Sequence, residues 1–150
     1  MATGTVTLHR VIRAPAERLY RAFIDPDALV KWLPPFGFTA RVLELDARVG
    51  GRYRMQFTNF GTGQVETFGG SYLELVPGKR IVHTDIFDNP ALPGEMRNTV
   101  TLASSEVGTS LQVVQEGIPE PIPVDACYLG WQESLLQLAQ LVEPDIPDEG

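Results

Sequence analysis

The residues best equipped for chemistry are His83 and Asp85, two apart in Arg80-Ile81-Val82-His83-Thr84-Asp85-Ile86-Phe87. On a β-strand, residues two apart share a face. An imidazole beside a carboxylate suits general acid–base work, or fixes a polar group of a ligand. Ile81 and Phe87 lie on that same face, so turned inward the pair lines an apolar space. The opposite alternation, Val82, Thr84 and Ile86, is just as able to face a core, which leaves the pair in water. A structural hydrogen bond between the two is the third reading.

The large apolar side chains expected to wall a pocket are Trp32, Tyr53, Met55, Phe57, Phe87, Tyr128 and Trp131. Tyr53, Met55 and Phe57 alternate and so share a face. Core packing is the plainer reading of each. Gln115 and Glu116 close the last strand near the expected pocket mouth, a solvated strand end being the plainer reading of Glu116, and His9 falls on an outer face. Cys127 is the one cysteine. It reads as a buried structural thiol rather than a nucleophile. There is no Cys or His cluster at metal spacing, no phosphate loop and no dinucleotide fingerprint, so no cofactor or metal is expected. The pairs Gly50-Gly51 and Gly69-Gly70 suit turns, bulges and sheet curvature.

These side chains need elements to hold them. Val6, Leu8 and Ile12 alternate with Thr7, His9 and Arg13, which predicts a half-buried strand over 5–13. Pro15 sets a first helical turn, and Leu19, Tyr20 and Phe23 give that helix its apolar face. Asp25-Pro26 is an N-cap followed by proline at the first position of a second short helix, which Pro34-Pro35 ends. Strand patterns follow near 39–47, 51–59, 65–76, 80–87, 97–103 and 109–116, separated by short Gly, Pro and Asn turns. Short turns between consecutive strands imply an antiparallel meander. Val124, Cys127, Tyr128, Trp131, Leu135, Leu138 and Val142 then recur at helical spacing, predicting a helix over 124–142. Only the sheet offers so long a stripe a surface, and Trp131 at its middle is expected to be largely buried.

Length and composition agree with one domain over 1–143 and a flexible acidic tail over 144–150. The chain has 150 residues, 43% hydrophobic and 21% charged, with a net charge of -7 and a pI near 4.7. Nucleic acid needs clustered Lys and Arg, so it is a poor partner, as is an anionic membrane. Arg48, Arg52 and Arg54 cluster in sequence but read as a solvated strand face. No disulfide can form within the chain, and no signal peptide or apolar span of ~18 residues is visible. Cytoplasm is the expected location, without membrane insertion. A homodimer is left open.

Four stretches resemble one family in order along nearly the whole chain. They are Ala14-Pro15-Ala16-Glu17-Arg18-Leu19-Tyr20-Arg21-Ala22-Phe23 with Asp25-Pro26-Asp27-Ala28-Leu29-Val30-Lys31-Trp32; Val49-Gly50-Gly51-Arg52-Tyr53-Arg54-Met55; Gly70-Ser71-Tyr72-Leu73-Glu74-Leu75-Val76-Pro77-Gly78-Lys79-Arg80-Ile81-Val82; and Gly130-Trp131-Gln132-Glu133-Ser134-Leu135-Leu136-Gln137-Leu138. The chain resembles activators of the 90-kDa heat-shock protein ATPase, within the START-like (SRPBCC) superfamily. The resemblance implies an α+β helix-grip fold, also called START-like or Bet v-like, with a curved antiparallel sheet around a long C-terminal helix. It also implies that strand 80–87 turns His83 and Asp85 inward. The Rieske-type branch of the superfamily needs iron ligands that this cysteine-poor sequence lacks.

Three functions stay in view. The leading one is binding of a small apolar or aromatic ligand between helix and sheet. The second is a cyclase- or hydrolase-type enzyme on a hydrophobic substrate, with His83 and Asp85 as acid–base pair. The third is a chaperone-interaction module. The eukaryotic activator carries a chaperone-binding domain ahead of a domain like this one, whereas this sequence opens on its first strand, so chaperone activation is the least expected.

Overall fold

The computed structural model describes residues 3–148. Its elements run β1 (Gly4–Ile12), α1 (Ala16–Ile24), α2 (Pro26–Trp32), β2 (Phe38–Leu45), β3 (Arg52–Asn59), β4 (Val65–Val76), β5 (Arg80–Phe87), β6 (Glu95–Ser105), β7 (Gly108–Ile118) and α3 (Val124–Val142). The seven strands form one antiparallel sheet in the order β1-β7-β6-β5-β4-β3-β2. The expected helix-grip architecture is present. β6 and β7 run longer than their alternation suggests, because their ladder continues unbroken to Ser105↔Gly108.

Local chemistry explains the helices that bridge the sheet's two edges. Pro15 stands at the N-cap of α1 in extended conformation. Asp25 caps α2, its carboxylate accepting from the Asp27 amide at 2.9 Å, with Pro26 next in line. That proline has a second effect. Ala22 in α1 lacks the amide donor that a residue four positions on normally supplies, since Pro26 has no N–H. The indole Nε1–H of Trp32 fills the vacancy at 2.9 Å. Trp32 is fully buried, edge-on to Phe23 at 4.7 Å between ring centroids.

Sheet curvature depends on close backbone approach in β4. A Cβ on Gly69 lies 2.3 Å from the Tyr53 carbonyl oxygen, and one on Gly70 lies 1.8 Å from that of Thr84. Neither position accepts a side chain without moving a neighbouring strand. A register shift between Tyr72 and Glu74 adds to the bend, as bulges do.

The long helix differs from expectation in how it lies. Its C-terminal half is anchored, with Leu135, Leu138, Ala139 and Val142 buried. Gln137 donates to the carbonyls of Trp32 at 3.0 Å and Pro34 at 2.7 Å, and Arg18 to that of Val142 at 2.8 Å. The N-terminal half is more open, although Val124 at its start lies against Gly4 of β1. Val124, Tyr128 and Leu129 are exposed, while Cys127 and Trp131 are only half-buried rather than enclosed. Helical period decides which residues share a face, but not how far away the facing surface lies.

At the surface, Arg48 pairs with Asp46 and Arg54 with Asp88. Such exposed pairs contribute little. Among the described residues no helix is long and apolar enough to cross a membrane. Residues 144–148 are irregular and exposed, and the last two residues of the acidic tail lie outside the described residues.

Candidate functional site

Between the first half of α3 and the sheet is a cavity of about 390 Å³. Strand period fills its wall: Tyr53, Met55 and Phe57 from β3, Phe68 and Tyr72 from β4, and Ile81, His83, Asp85 and Phe87 from β5 all line it. Trp32 of α2 and Ala126, Cys127, Gly130 and Trp131 of α3 close over them. Of the residues expected from sequence, Tyr128 alone is not in this wall. It is 38% exposed and one helical position too far round. Glu116 is also exposed, paired in register with Arg97, and His9 hydrogen-bonds Ser110 on the outer face. Gln115 does reach the cavity.

Aromatic rings make much of the wall. Phe57 meets Phe68 edge-on at 5.0 Å, and Phe68 meets Phe87 at 5.9 Å. Tyr53 packs on Tyr72 at 5.6 Å and edge-on to His83 at 5.3 Å. Such pairs hold one another in place beyond what burial alone gives.

The polar groups occupy one end. Tyr53 donates its hydroxyl proton to the Thr84 carbonyl at 2.9 Å, and the same oxygen lies 3.1 Å from His83 Nδ1. A phenol has one proton, so its oxygen accepts from Nδ1–H, and in the neutral ring Nε2 is the bare acceptor. Asp85 Oδ2 accepts from the Asn98 amide at 2.6 Å. Asp85 Oδ1 and Asn98 Oδ1 are buried with no partner in the protein.

His83 Nδ1 and Asp85 Oδ1 are 3.4 Å apart, close enough for an ion pair. Burial decides against one. It pulls the imidazole down to about 4, a hydrogen bond with the Thr84 backbone opposing only in part. It pushes the Asp85 carboxyl well above its usual range, against a smaller opposing effect from Asn98. Desolvation therefore outweighs attraction, and burial favours the uncharged form of both groups. Burial likewise pushes the Tyr72 phenol up to about 12.

The register extends this polar end into a row. Tyr72 stands opposite His83, His83 opposite Asn98, and Asn98 opposite Gln115. Trp131 hangs over the row's end, its indole donating to Gln115 Oε1 at 3.1 Å. Asn98 was not among the expected site residues, although a signal for it exists. Met96, Asn98, Val100 and Leu102 alternate inward on β6, and Asn98 is the one polar member.

The position of Trp131 changes what its removal does. A fully buried tryptophan costs about 3–5 kcal/mol when cut to alanine. Half-buried at a cavity wall, Trp131→Ala is expected to cost about 1–2 kcal/mol, since little new void is created. A denaturant midpoint shifted by the full amount indicates that α3 closes down on the sheet in solution.

A curved antiparallel sheet, a C-terminal helix gripped by it and a cavity between them define a START-like helix-grip protein. Residues 13–143 match the family described as Activator of Hsp90 ATPase homolog 1-like protein, and the chain belongs to that family. A crystal structure of a Chromobacterium violaceum protein is similar at 63% identity, over 94% of this chain and 98% of that one, with a TM-score of 0.93. The solution structure of an AHSA1-like protein from Aeromonas hydrophila shares the fold at 19% identity, over 91% and 90% of the two chains, with a TM-score of 0.72. A Staphylococcus epidermidis protein does so at 16% identity, over 100% and 96%, with a TM-score of 0.80. No curated protein matches the sequence.

Proposed function

We propose that this protein binds a small apolar or aromatic molecule in the cavity between α3 and the sheet. The observation that carries this reading is the cavity's make-up. About 390 Å³ is bounded mainly by aromatic and aliphatic side chains, with a few polar groups gathered at one end. Small-molecule sites have this size and this economy of polar contacts. A cavity that served packing alone is expected to be filled, because protein interiors approach crystal density.

Native mass spectrometry of freshly purified protein tests the reading, alongside titration with hydrophobic fluorophores. A co-purified small molecule, or saturable fluorophore binding weakened by Trp131→Ala, is the expected result. Absence of both removes the reading.

One observation favours a second reading, an enzyme acting on a hydrophobic substrate. Strongly shifted acid and base groups in a cleft are a mark of catalytic sites. Turnover abolished by His83→Ala with binding retained selects the enzyme. The family's description comes from a chaperone ATPase activator. A chaperone module predicts binding to a chaperone unaffected by substitutions inside the cavity.

A further inference from the structure

Asn98 Oδ1 also lacks a partner, but Asn98 is not in the cavity wall. The wall's polar end has two open valences, on His83 and Asp85, and their hydrogen-bonding senses differ. His83 Nδ1 is engaged by Tyr53, leaving Nε2 as the ring's acceptor. Asp85 Oδ2 accepts from Asn98, so a proton on the acid sits on Oδ1, which is buried and has no protein partner. An unpaired buried donor is costly, and natural interiors seldom leave one unmet. Acceptor and donor belong to residues two apart on one strand face, with Oδ1 3.4 Å from Nδ1 of the same ring.

We propose, resting on the ligand-binding reading above, that this end of the cavity receives an uncharged hydroxyl, a phenol or enol, on an aromatic ligand. Nε2 of His83 accepts from the ligand hydroxyl, and Oδ1 of Asp85 donates to its oxygen. A hydroxyl is the smallest group that answers both senses with one atom. A carboxylate meets no cation here, since no Lys or Arg is among the described residues that line the cavity. The low pKa of His83 supports the same assignment, because an uncharged ring keeps Nε2 as an acceptor. Size follows from volume: a cavity of about 150 Å³ takes benzene. About 390 Å³ gives room for roughly two or three fused rings.

The test uses the full chain and four probes: naphthalene, 2-naphthol, 2-methoxynaphthalene and 2-naphthylmethylamine, compared by calorimetry. The naphthol is expected to bind about tenfold or more tightly than naphthalene and the ether. Asp85→Leu is expected to cut that preference below about threefold. Asp85→Asn, whose amide donates in place of the acid, recovers part of it. His83→Phe keeps a ring in place and removes the acceptor, so it also lowers the preference, and thermal unfolding of each variant verifies its fold.

Equal affinity for naphthol and ether in the wild type overturns the inference while leaving the ligand-binding reading intact. Tightest binding by the amine overturns it in favour of an ionised Asp85. Asp85→Asn losing as much as Asp85→Leu overturns it too. Failure of all four probes to bind removes the inference and counts against the reading on which it rests.

Discussion

Trp32→Ala is expected to lower the unfolding free energy by about 3–5 kcal/mol. The indole is fully buried, so its loss removes a large apolar surface and leaves a void. It also strips the Ala22 carbonyl of its donor at a point where Pro26 has none to give. Trp32→Phe separates the two effects: most of the ring's burial survives, the hydrogen bond does not, and the expected cost falls to about 1–3 kcal/mol. Chemical denaturation followed by circular dichroism reads both. A midpoint unchanged by Trp32→Ala contradicts the role of this residue as the tie between α1 and α2.

The second large effect is a pH dependence centred on the buried pair. His83 has a folded pKa near 4 against an ordinary 6.5. The unfolded chain therefore binds the proton first as pH falls. The neutral ring's contribution is complete above about pH 6.5 and is lost as pH falls through about 4. Between about pH 7.5 and about pH 4.5, wild type should lose about 2–3 kcal/mol relative to His83→Phe. Asp85 runs the other way. Its folded pKa is raised, so its contribution is complete below its ordinary 3.8 and is lost as pH rises toward the folded value. Asp85→Asn should accordingly gain on wild type as pH rises. Urea unfolding at a series of pH values measures both differences. Superimposable profiles for wild type and His83→Phe would put the imidazole in solvent.

The elements were readable because their physics is local. Asp25-Pro26, the alternation in β1 and the apolar runs of β4 and β5 depend only on near neighbours in sequence. The orientation of β5 was not readable from its residues, since Ile81 and Phe87 on one face and Val82 and Ile86 on the other are equally apolar. Family resemblance implied the inward face, and the structure has His83 and Asp85 there. The openness of the first half of α3 had no sequence signature at all. Its stripe is continuous through Tyr128 and Trp131, and only the packing in three dimensions leaves Tyr128 exposed and Trp131 half-buried. Asn98 lay between these cases. Its polar side chain in an apolar inward row was visible, but its partner Asp85 is on another strand, where strand period alone assigns no contact.

Strand order also has a kinetic side. From β2 to β7 every neighbour in the sheet is a neighbour in sequence, whereas β1 adds to the far side of β7 with Leu8 opposite Val113. Hairpins close short loops quickly, but this pairing must close a loop spanning most of the chain before any contact rewards it. The meander is therefore expected to form ahead of it. Docking of α3 beside β1, and of α1 and α2 against α3, waits on the same closure. The cavity thus has no roof until β1 meets β7, a strand more than a hundred residues further along.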